Sequence, residues 1–223
     1  MIPWHEIGRA KVPGGTLTLS QRGEEFALRL GGAELMNSRL HLSEERLAVL
    51  GCAGLAEVPG ARVLIGGLGM GFTARAALDV LPAGARVVIA ELVPEVVEWN
   101  RGPLAHLAGH PLDDPRLTLY VGDVAGMIAK GGYHAILLDV DNGPGAFTAP
   151  SNASLYGAKG LAKARAALVP GGVLAVWSVE NDPAFTGRLK GVGFDVTLER
   201  VPTRPNSKVK HVLWIARAPG GRM

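Results

Sequence analysis

From about Ala61 onward, short apolar runs alternate with stretches whose apolar residues have helical spacing. The apolar runs predict seven strands, at Arg62–Ile65, Arg86–Ala90, Leu117–Val121, Ala135–Val140, Val173–Trp177, Phe194–Leu198 and Val209–Ala216. The stretches between them predict helices at Phe72–Val80, Pro94–Leu107, Val124–Ala129, Leu155–Leu168 and Pro183–Lys190. Strands that alternate with helices and are apolar throughout indicate a parallel sheet covered on both faces.

The last two predicted strands are joined differently from the others. Their link, from Pro202 to Ser207, is rich in turn residues and too short for a helical crossover. We therefore expect the final strand to be antiparallel. The predicted class is α/β, with a Rossmann-like, mostly parallel seven-stranded sheet.

The N-terminal quarter of the chain follows another pattern. Strand-forming residues at Thr16–Ser20, Glu25–Leu30 and Ala33–Met36 are separated by glycine-containing turns, which predicts a small antiparallel meander. Ser43 precedes three charged residues and is the expected N-cap of a linking helix that runs to about Ala53. We expect a meander with its linking helix over residues 1–55 and a nucleotide-binding unit over 56–223.

The composition indicates the class of protein, its partners and its cellular compartment. The 223 residues are 48% hydrophobic, which predicts a folded globular chain. The formal net charge of +3 is too small to indicate a nucleic-acid partner, and the basic residues after Arg188 are interpreted as a solvated edge. Cys52 is the single cysteine and there is no long apolar run, so we expect a cytoplasmic protein without a membrane partner.

A glycine-rich turn follows the first predicted strand of the sheet. Gly67, Gly69 and Gly71 come directly after that strand and precede a helix, where glycine permits sharp turns and close approach of a ligand. Glu91 ends the second strand, 20 residues after Gly71. A carboxylate at that position accepts hydrogen bonds from the two hydroxyls of a ribose, so we expect Glu91 to bind ribose.

Acidic residues also end the third and fourth predicted strands. Asp123 follows the third strand, where it is suited both to cap the next helix and to accept a hydrogen bond from an adenine amine. Asp139 ends the fourth strand and is followed by Asp141, Asn142 and a Gly-Pro turn. Ligands bind outside the carboxyl ends of such strands, so Asp139 is expected near the reacting end of a nucleotide.

The spacing of the glycines also indicates the kind of nucleotide. Enzymes that bind nicotinamide dinucleotides usually carry Gly-x-Gly-x-x-Gly at this turn, whereas the third glycine here arrives one residue earlier. A ligand without phosphates, such as an adenosyl-sulfonium compound, fits this turn better.

With these residues in view, the chain resembles the spermidine synthase family, which are aminopropyltransferases built on the class I adenosyl-methionine fold. The resemblance extends from the meander to the last strand. It is carried by Val63–Gly71, by Asp114–Arg116 with Gly122 and Asp123, by Asp139–Pro144, by Leu155 with Tyr156, and by Val201–Pro205.

The resemblance implies a reaction and a role for each site residue. The donor would be decarboxylated S-adenosylmethionine or a related sulfonium, the acceptor a small amine, and no metal would be needed. Glu91 would bind the ribose, Asp123 the adenine, and Asp139 would act as general base. The leaving thioether is neutral, while an amine with a pKa of roughly 10 must first lose a proton. The resemblance also implies a homodimer.

The sequence departs from the family pattern mainly on the substrate side. Gly69 stands where the family carries an acidic residue, and Asn142 replaces the second Asp of the catalytic loop, next to Asp141. Three further differences are His41 for Gln, Trp177 for Gln and Arg204 for Tyr. By the resemblance these positions bind the donor and the amine. The loss of carboxylates and the added guanidinium of Arg204 should weaken binding of a dication and favour an acidic acceptor.

Two alternatives therefore stay open. One is methyl transfer from S-adenosylmethionine to a small, possibly acidic acceptor, because Gly69 gives the Gly-x-Gly-x-Gly turn common among methyltransferases. The other is a homologue that binds the nucleotide without catalysis. His106 and His110 have the spacing of a helical metal pair, but Gly109 and Pro111 interrupt a helix there, so no metal site is expected.

Overall fold

The computed structural model describes residues 2–140 and 154–220. Its N-terminal part is an antiparallel sheet of four strands in sequence order, β1 His5–Val12, β2 Gly15–Arg22, β3 Glu25–Leu30 and β4 Ala33–Asn37. The three predicted strands are present, and β1 adds a fourth that the sequence did not predict. Gly8 in β1 packs against the ring of Trp99, where a Cβ atom would lie 2.5 Å from the indole nitrogen.

The larger sheet has seven strands in the order β10-β11-β9-β8-β5-β6-β7. They are β5 Arg62–Gly66, β6 Arg86–Glu91, β7 Leu117–Val121, β8 Tyr133–Leu138, β9 Leu168–Ser178, β10 Asp195–Pro202 and β11 Lys210–Arg217. Strands β5 to β9 are parallel, and β11 pairs antiparallel with both β9 and β10. The predicted α/β sheet with an antiparallel last strand is confirmed.

Six α-helices with complete bounds lie in the described part of the chain. They are α1 Leu42–Gly51, α2 Phe72–Val80, α3 Pro94–Arg101, α4 Val124–Ile128, α5 Ala158–Ala167 and α6 Pro183–Gly191. Several predicted boundaries differ from the observed ones, and two of these differences have a clear cause. Helix α3 ends at Arg101 because Gly102 and Pro103 follow it, and a 3₁₀ helix covers Ala105–Ala108 instead. Leu168 belongs to β9 rather than to the preceding helix.

The prediction that Ser43 caps α1 was also wrong. The N-cap is His41, which makes no capping hydrogen bond with its side chain. Ser43 lies inside the first turn and is fully buried, and its hydroxyl bonds side chains of distant elements. The helix is thus positioned by tertiary contacts rather than by a local cap.

The four-stranded sheet packs against α3 and the 3₁₀ helix that follows it, with Gly8 on Trp99 and Phe26 against His106. Leu19 and Phe26 of the small sheet are buried in one hydrophobic cluster with Val63 and Ile65 of β5. Burying each such side chain contributes roughly 1.5–3 kcal/mol. A division of the chain at residue 55 stays a prediction, but its two sides share this cluster. No helix within residues 2–140 and 154–220 is long and apolar enough to cross a membrane.

The order of the strands determines where a ligand site can form. Strand β5 lies between β6 and β8, and the chain leaves β5 in one direction to build β6 and β7 and in the other to build β8 and β9. In open parallel sheets a crevice forms at such a reversal, outside the carboxyl ends of the strands. The turn after β5 and the residue after β8 therefore lie at the edge where a ligand is expected.

Candidate active site

The turn between β5 and α2 passes very close to the end of β8. Gly67 has φ +88°, and a Cβ atom on it would collide with the main-chain oxygen of Asp139. The amide of Asp139 donates a hydrogen bond of 3.0 Å to the carbonyl oxygen of Gly66. Only glycine meets both demands at residue 67, so the glycine turn fixes the main chain of Asp139.

A second glycine of this turn faces the small sheet. Gly69 has φ +54°, and a Cβ atom on it would lie 3.0 Å from the sulfur of Met36 in β4. Gly67 and Gly69 line a cavity at the edge of the larger sheet. Gly71 precedes α2 as its N-cap residue and is not among the described residues that line the cavity.

Glu91 lies at the end of β6 and is buried, with 7% of its surface exposed. Its Oε2 accepts a hydrogen bond of 2.8 Å from the amide of Leu68, and its Oε1 accepts one of 2.8 Å from the amide of Val93. The carboxylate thus joins the glycine turn to the start of α3, and it also lines the cavity. This position is consistent with the predicted contact to a ribose.

Asp123 follows β7 and lies on the same side of the cavity as Glu91. Its Oδ1 accepts a hydrogen bond of 2.8 Å from the amide of Ala125, so the predicted cap of α4 is confirmed. Asp123 also lines the cavity. The cap and a contact to a ligand are compatible, because an ionised carboxylate has about four acceptor positions.

Asp139 follows β8 and lines the cavity. The hydroxyl of Thr73, in the first turn of α2, donates a hydrogen bond of 2.6 Å to its Oδ2. Burial disfavours the charged form and raises the pKa of Asp139 above its usual range, while the Thr73 hydrogen bond opposes this shift. A carboxylate whose pKa moves toward neutral pH suits a general base.

A second buried carboxylate faces the cavity, and the sequence did not point to it. Glu44, in the first turn of α1, is 4% exposed and lines the cavity with Asp139. Burial, followed by repulsion from Asp139, raises the pKa of Glu44 well above its usual range. The signal was present in the spacing, since Glu44 lies on the buried face of α1 with Leu47, Ala48 and Gly51.

The cavity has a volume of about 210 Å³ and two unlike sides. One side carries Glu44, Glu91, Asp123 and Asp139, and the described lining includes no Lys, Arg or His. The other side belongs to the small sheet and is apolar, with Val12, Pro13, Leu17, Leu28, Leu30, Leu35 and Met36. Pockets that enclose a whole drug-sized ligand measure roughly 300–1,000 Å³, so this cavity encloses only part of a nucleotide.

The residues predicted to bind substrate are distributed unevenly around this site. Trp177 of β9 lines the cavity. The ring of His41 instead stacks on Phe72 with 4.1 Å between ring centroids, and its Nδ1 lies 2.7 Å from Oε1 of Glu45. Arg204 is exposed in the link between β10 and β11. The lining among described residues includes neither His41 nor Arg204.

Two further predicted residues, Asp141 and Asn142, lie outside the described residues. His106 lies in a 3₁₀ helix with its ring against the edge of Phe26, and Nδ1 of His110 is 3.8 Å from Asp113. Within the described ranges, no three His, Cys, Asp or Glu side chains come together as ligands of a metal ion would.

This arrangement is suited to a cationic ligand. The pKa values of Glu44 and Asp139 are raised chiefly by burial, and each carboxyl becomes easier to ionise when an opposite charge lies within about 4–6 Å. A sulfonium or an ammonium group in the cavity would supply that charge. Asp139 is then able to accept a proton from an amine held beside it.

Solved structures with the same fold include two spermidine synthases and one probable spermidine synthase. That of Thermotoga maritima matches with a TM-score of 0.72 and 20% identity, over 95% of this chain and 72% of that one. A spermidine synthase in complex with the transition-state analogue AdoDATO matches with a TM-score of 0.71 and 19% identity, over the same shares. A probable spermidine synthase from Corynebacterium glutamicum gives 0.63 and 16%, over 94% of this chain and 79% of that one.

No protein-family model and no curated protein matches the chain by sequence. At these identities the structural matches show the fold. The fold that the resemblance to spermidine synthases implied, from the meander through the seven-stranded sheet, is confirmed.

Proposed function

We propose that this protein transfers an aminopropyl or related group from a decarboxylated S-adenosylmethionine-type sulfonium to a small amine. The observation that carries the proposal is the partly buried carboxylate of Asp139 at the end of β8, in one cavity with Glu91 and Asp123. One spermidine synthase with the same fold was solved in complex with the transition-state analogue AdoDATO, which supports the same reaction class for this protein.

Each residue of the site has a role in this proposal. Glu91 binds the ribose hydroxyls and Asp123 the adenine amine, because both carboxylates line the cavity at the ends of neighbouring strands. Gly67 and Gly69 let the donor lie against the main chain. The donor supplies a carbon activated by sulfonium. Asp139 takes one proton from the acceptor's ammonium group and holds the resulting amine in line with that carbon.

A second function, methyl transfer from S-adenosylmethionine, is favoured by one contact. Met36 occupies the space beside Gly69 where the resembling family carries a carboxylate, so the glycine turn offers no acidic partner for an aminopropyl ammonium. If the site accepts the ordinary donor, its methyl group rather than an aminopropyl group would be moved.

Calorimetry distinguishes the two functions. We expect decarboxylated S-adenosylmethionine and methylthioadenosine to bind at least about tenfold more tightly than S-adenosylmethionine, a difference of about 1.4 kcal/mol. The reverse order would favour methyl transfer. Failure of all three compounds to bind would contradict both aminopropyl transfer and methyl transfer.

Turnover tests the role of Asp139 directly. The Asp139→Asn variant should lose activity on every amine that the wild type uses, while its affinity for methylthioadenosine stays within about twofold. The matched control is Asp113→Asn, which removes an exposed carboxylate outside the cavity. Unchanged turnover in Asp139→Asn would remove Asp139 from the mechanism.

We further propose that the protein is a homodimer, as the resemblance implies, and that it is cytoplasmic, as its single cysteine suggests. Light scattering after size-exclusion chromatography tests the assembly, since a dimer has twice the 23.3 kDa mass of the chain. A single monomer peak over the whole concentration range would contradict the dimer.

A further inference from the structure

A chain of hydrogen bonds leads from the cavity to β11, the strand between β10 and β9. The hydroxyl oxygen of Ser43 lies 2.5 Å from Oε2 of Glu44 and 2.8 Å from Nδ1 of His211. The indole nitrogen of Trp177 donates to the same hydroxyl oxygen at 2.9 Å. Ser43 and His211 are 168 residues apart in the sequence, so this contact exists only in the folded chain.

The donors and acceptors in this chain allow two arrangements. An indole N–H only donates, so Ser43 accepts from Trp177 and retains one proton and one lone pair for its other partners. In the first arrangement, protonated Glu44 donates to Ser43, and Ser43 donates to Nδ1 of neutral His211. In the second, Nδ1–H of His211 donates to Ser43, and Ser43 donates to ionised Glu44. The two differ by the shift of two protons.

The inner end of the chain lies beside the proposed base. The carboxyl group of Glu44 and that of Asp139 line the same cavity. The hydroxyl of Thr73 lies 2.6 Å from Oδ2 of Asp139 and 3.4 Å from the main-chain oxygen of Glu44, so Thr73 contacts both residues. The outer end, His211, is partly exposed in β11, with its ring 4.6 Å from that of Trp177.

We propose that Glu44, Ser43 and His211 form a proton relay that returns Asp139 to its ionised state after each turnover. This inference rests on the proposed function, in which Asp139 acts as base. In that reaction the C–S bond breaks with its electron pair on sulfur, a C–N bond forms, and Asp139 keeps the proton of the acceptor. Asp139 passes this proton to Glu44 across the cavity, directly or through one water molecule.

The proton then leaves by a concerted step. Glu44 gives its proton to Ser43 while Ser43 gives its own to Nδ1 of His211, which leaves Glu44 ionised and His211 as an imidazolium. His211 then turns its ring away from Ser43, releases the Nδ1 proton to solvent and returns as the Nε2–H tautomer, so the relay starts again from the first arrangement. Trp177 is a positioning residue in this scheme, since its N–H holds the hydroxyl of Ser43 between the two acceptors.

The charges around the relay favour this direction of transfer when a cation is bound. The groups that face Glu44 are the carboxyls of Asp139 and Glu45, which together with burial raise the pKa of Glu44, while burial lowers the pKa of His211. Both shifts oppose the usual preference of the proton for histidine over glutamate. A cation beside Glu44 lowers its pKa again, which moves the proton toward His211.

The kinetic test uses His211→Asn, because an amide side chain hydrogen-bonds Ser43 but does not carry the proton. We expect kcat to fall about tenfold or more while KM for donor and amine changes less than about twofold. When the rate is plotted against the deuterium fraction of the solvent, we expect a curve for the wild type and a straight line for His211→Asn. His5→Asn, at an exposed histidine, is the matched control.

Chemical rescue with added imidazole is a second test of the relay. In His211→Ala, imidazole should restore part of the lost kcat, which a merely structural role of His211 would not produce. If His211→Asn turns over at the wild-type rate with the same solvent dependence, the relay is wrong although the proposed function stands.

Nitrogen NMR of the histidine side chains tests the relay without any turnover, and it decides the question if no donor and amine react. In the wild type, the tautomer of His211 should change as Glu44 ionises, so the resonance of Nδ1 titrates in two steps. Glu44→Gln should leave one step. An identical single step in both proteins would overturn the proposal.

Discussion

The sulfur of Met36 lies 3.0 Å from the point where a Cβ atom of residue 69 would stand. This contact joins β4 of the small sheet to the glycine turn of the larger one. A side chain at position 69 would have to tolerate a left-handed main-chain conformation and would also have to enter the space that Met36 fills. We therefore expect substitutions at Gly69 and Met36 to be energetically coupled. The stability effects of changing the two residues should not add.

Gly69→Asp should lower the free energy of unfolding by about 1–3 kcal/mol, through backbone strain at φ +54° and the clash with Met36. Adding Met36→Ala should recover part of the loss, which urea denaturation of the four proteins of a double-mutant cycle measures. Gly69→Ala separates the effect of the Cβ atom from that of the charge. Strictly additive losses would show that the two positions do not interact.

Thr73→Val should make Asp139 harder to ionise, since the hydrogen bond from Thr73 favours the charged carboxylate. We expect the acidic limb of the pH profile of kcat/KM to move upward by about one pH unit, because hydrogen bonds to charged groups contribute about 1.5–3 kcal/mol. Thr73→Ser retains the hydroxyl and should keep the wild-type profile. A limb that stays in place in Thr73→Val would contradict this coupling.

The buried Glu44 should make the stability of the protein fall as pH rises. Its pKa in the folded chain is raised to about 8, so between about pH 4.5 and 8 the folded chain holds a proton that the unfolded chain has lost. The stabilisation by the protonated form is complete below this range and is lost above it. Asp139, whose pKa is also raised, acts in the same direction.

Glu44→Gln should therefore flatten the decline of the unfolding free energy across this range, by an amount on the order of 5 kcal/mol. Urea denaturation at a series of pH values measures the slope, and Glu57→Gln, at an exposed glutamate, should reproduce the wild-type slope. A decline equally steep in Glu44→Gln would mean that Glu44 is ionised in the folded chain.

Asp123 carries two assigned tasks that one substitution can separate. Asp123→Ser keeps a side-chain oxygen that is able to cap α4, so thermal stability should change by less than about 1 kcal/mol. It removes the carboxylate at the adenine end, so affinity for methylthioadenosine should fall about tenfold, as calorimetry measures. Asp123→Ala should lose both. Wild-type affinity in Asp123→Ser would limit Asp123 to capping.

The parallel strands of the sheet were predictable because each is an apolar run several residues long. Strand β1 was missed because the alternation of Arg9–Val12 covers only four residues, and the polar His5 and Glu6 with Gly8 interrupt it before that. The strand exists through its pairing with β2 and its contact with Trp99, and neither is visible in a local window.

The residues of the site that lie at the ends of strands were predictable from the sequence. Glu91, Asp123 and Asp139 each follow an apolar strand, so their convergence follows from the sheet alone. Glu44 was missed because charged residues in the first turn of a helix are ordinarily solvated and favoured there by the helix dipole. Its burial depends on how α1 packs against β9 and β11, which local propensity does not encode.

The main-chain oxygen of Asp139 occupies the space that any side chain at residue 67 would need. The glycine turn and Asp139, which the proposed function assigns to the donor and to the acceptor, are therefore held at one fixed separation. A substitution that altered the turn would also displace the carboxylate, so the two cannot diverge independently in evolution. Changes of substrate preference should instead accumulate on the small sheet, which forms the apolar side of the cavity. Side chains there can change without moving the glycine turn relative to Asp139.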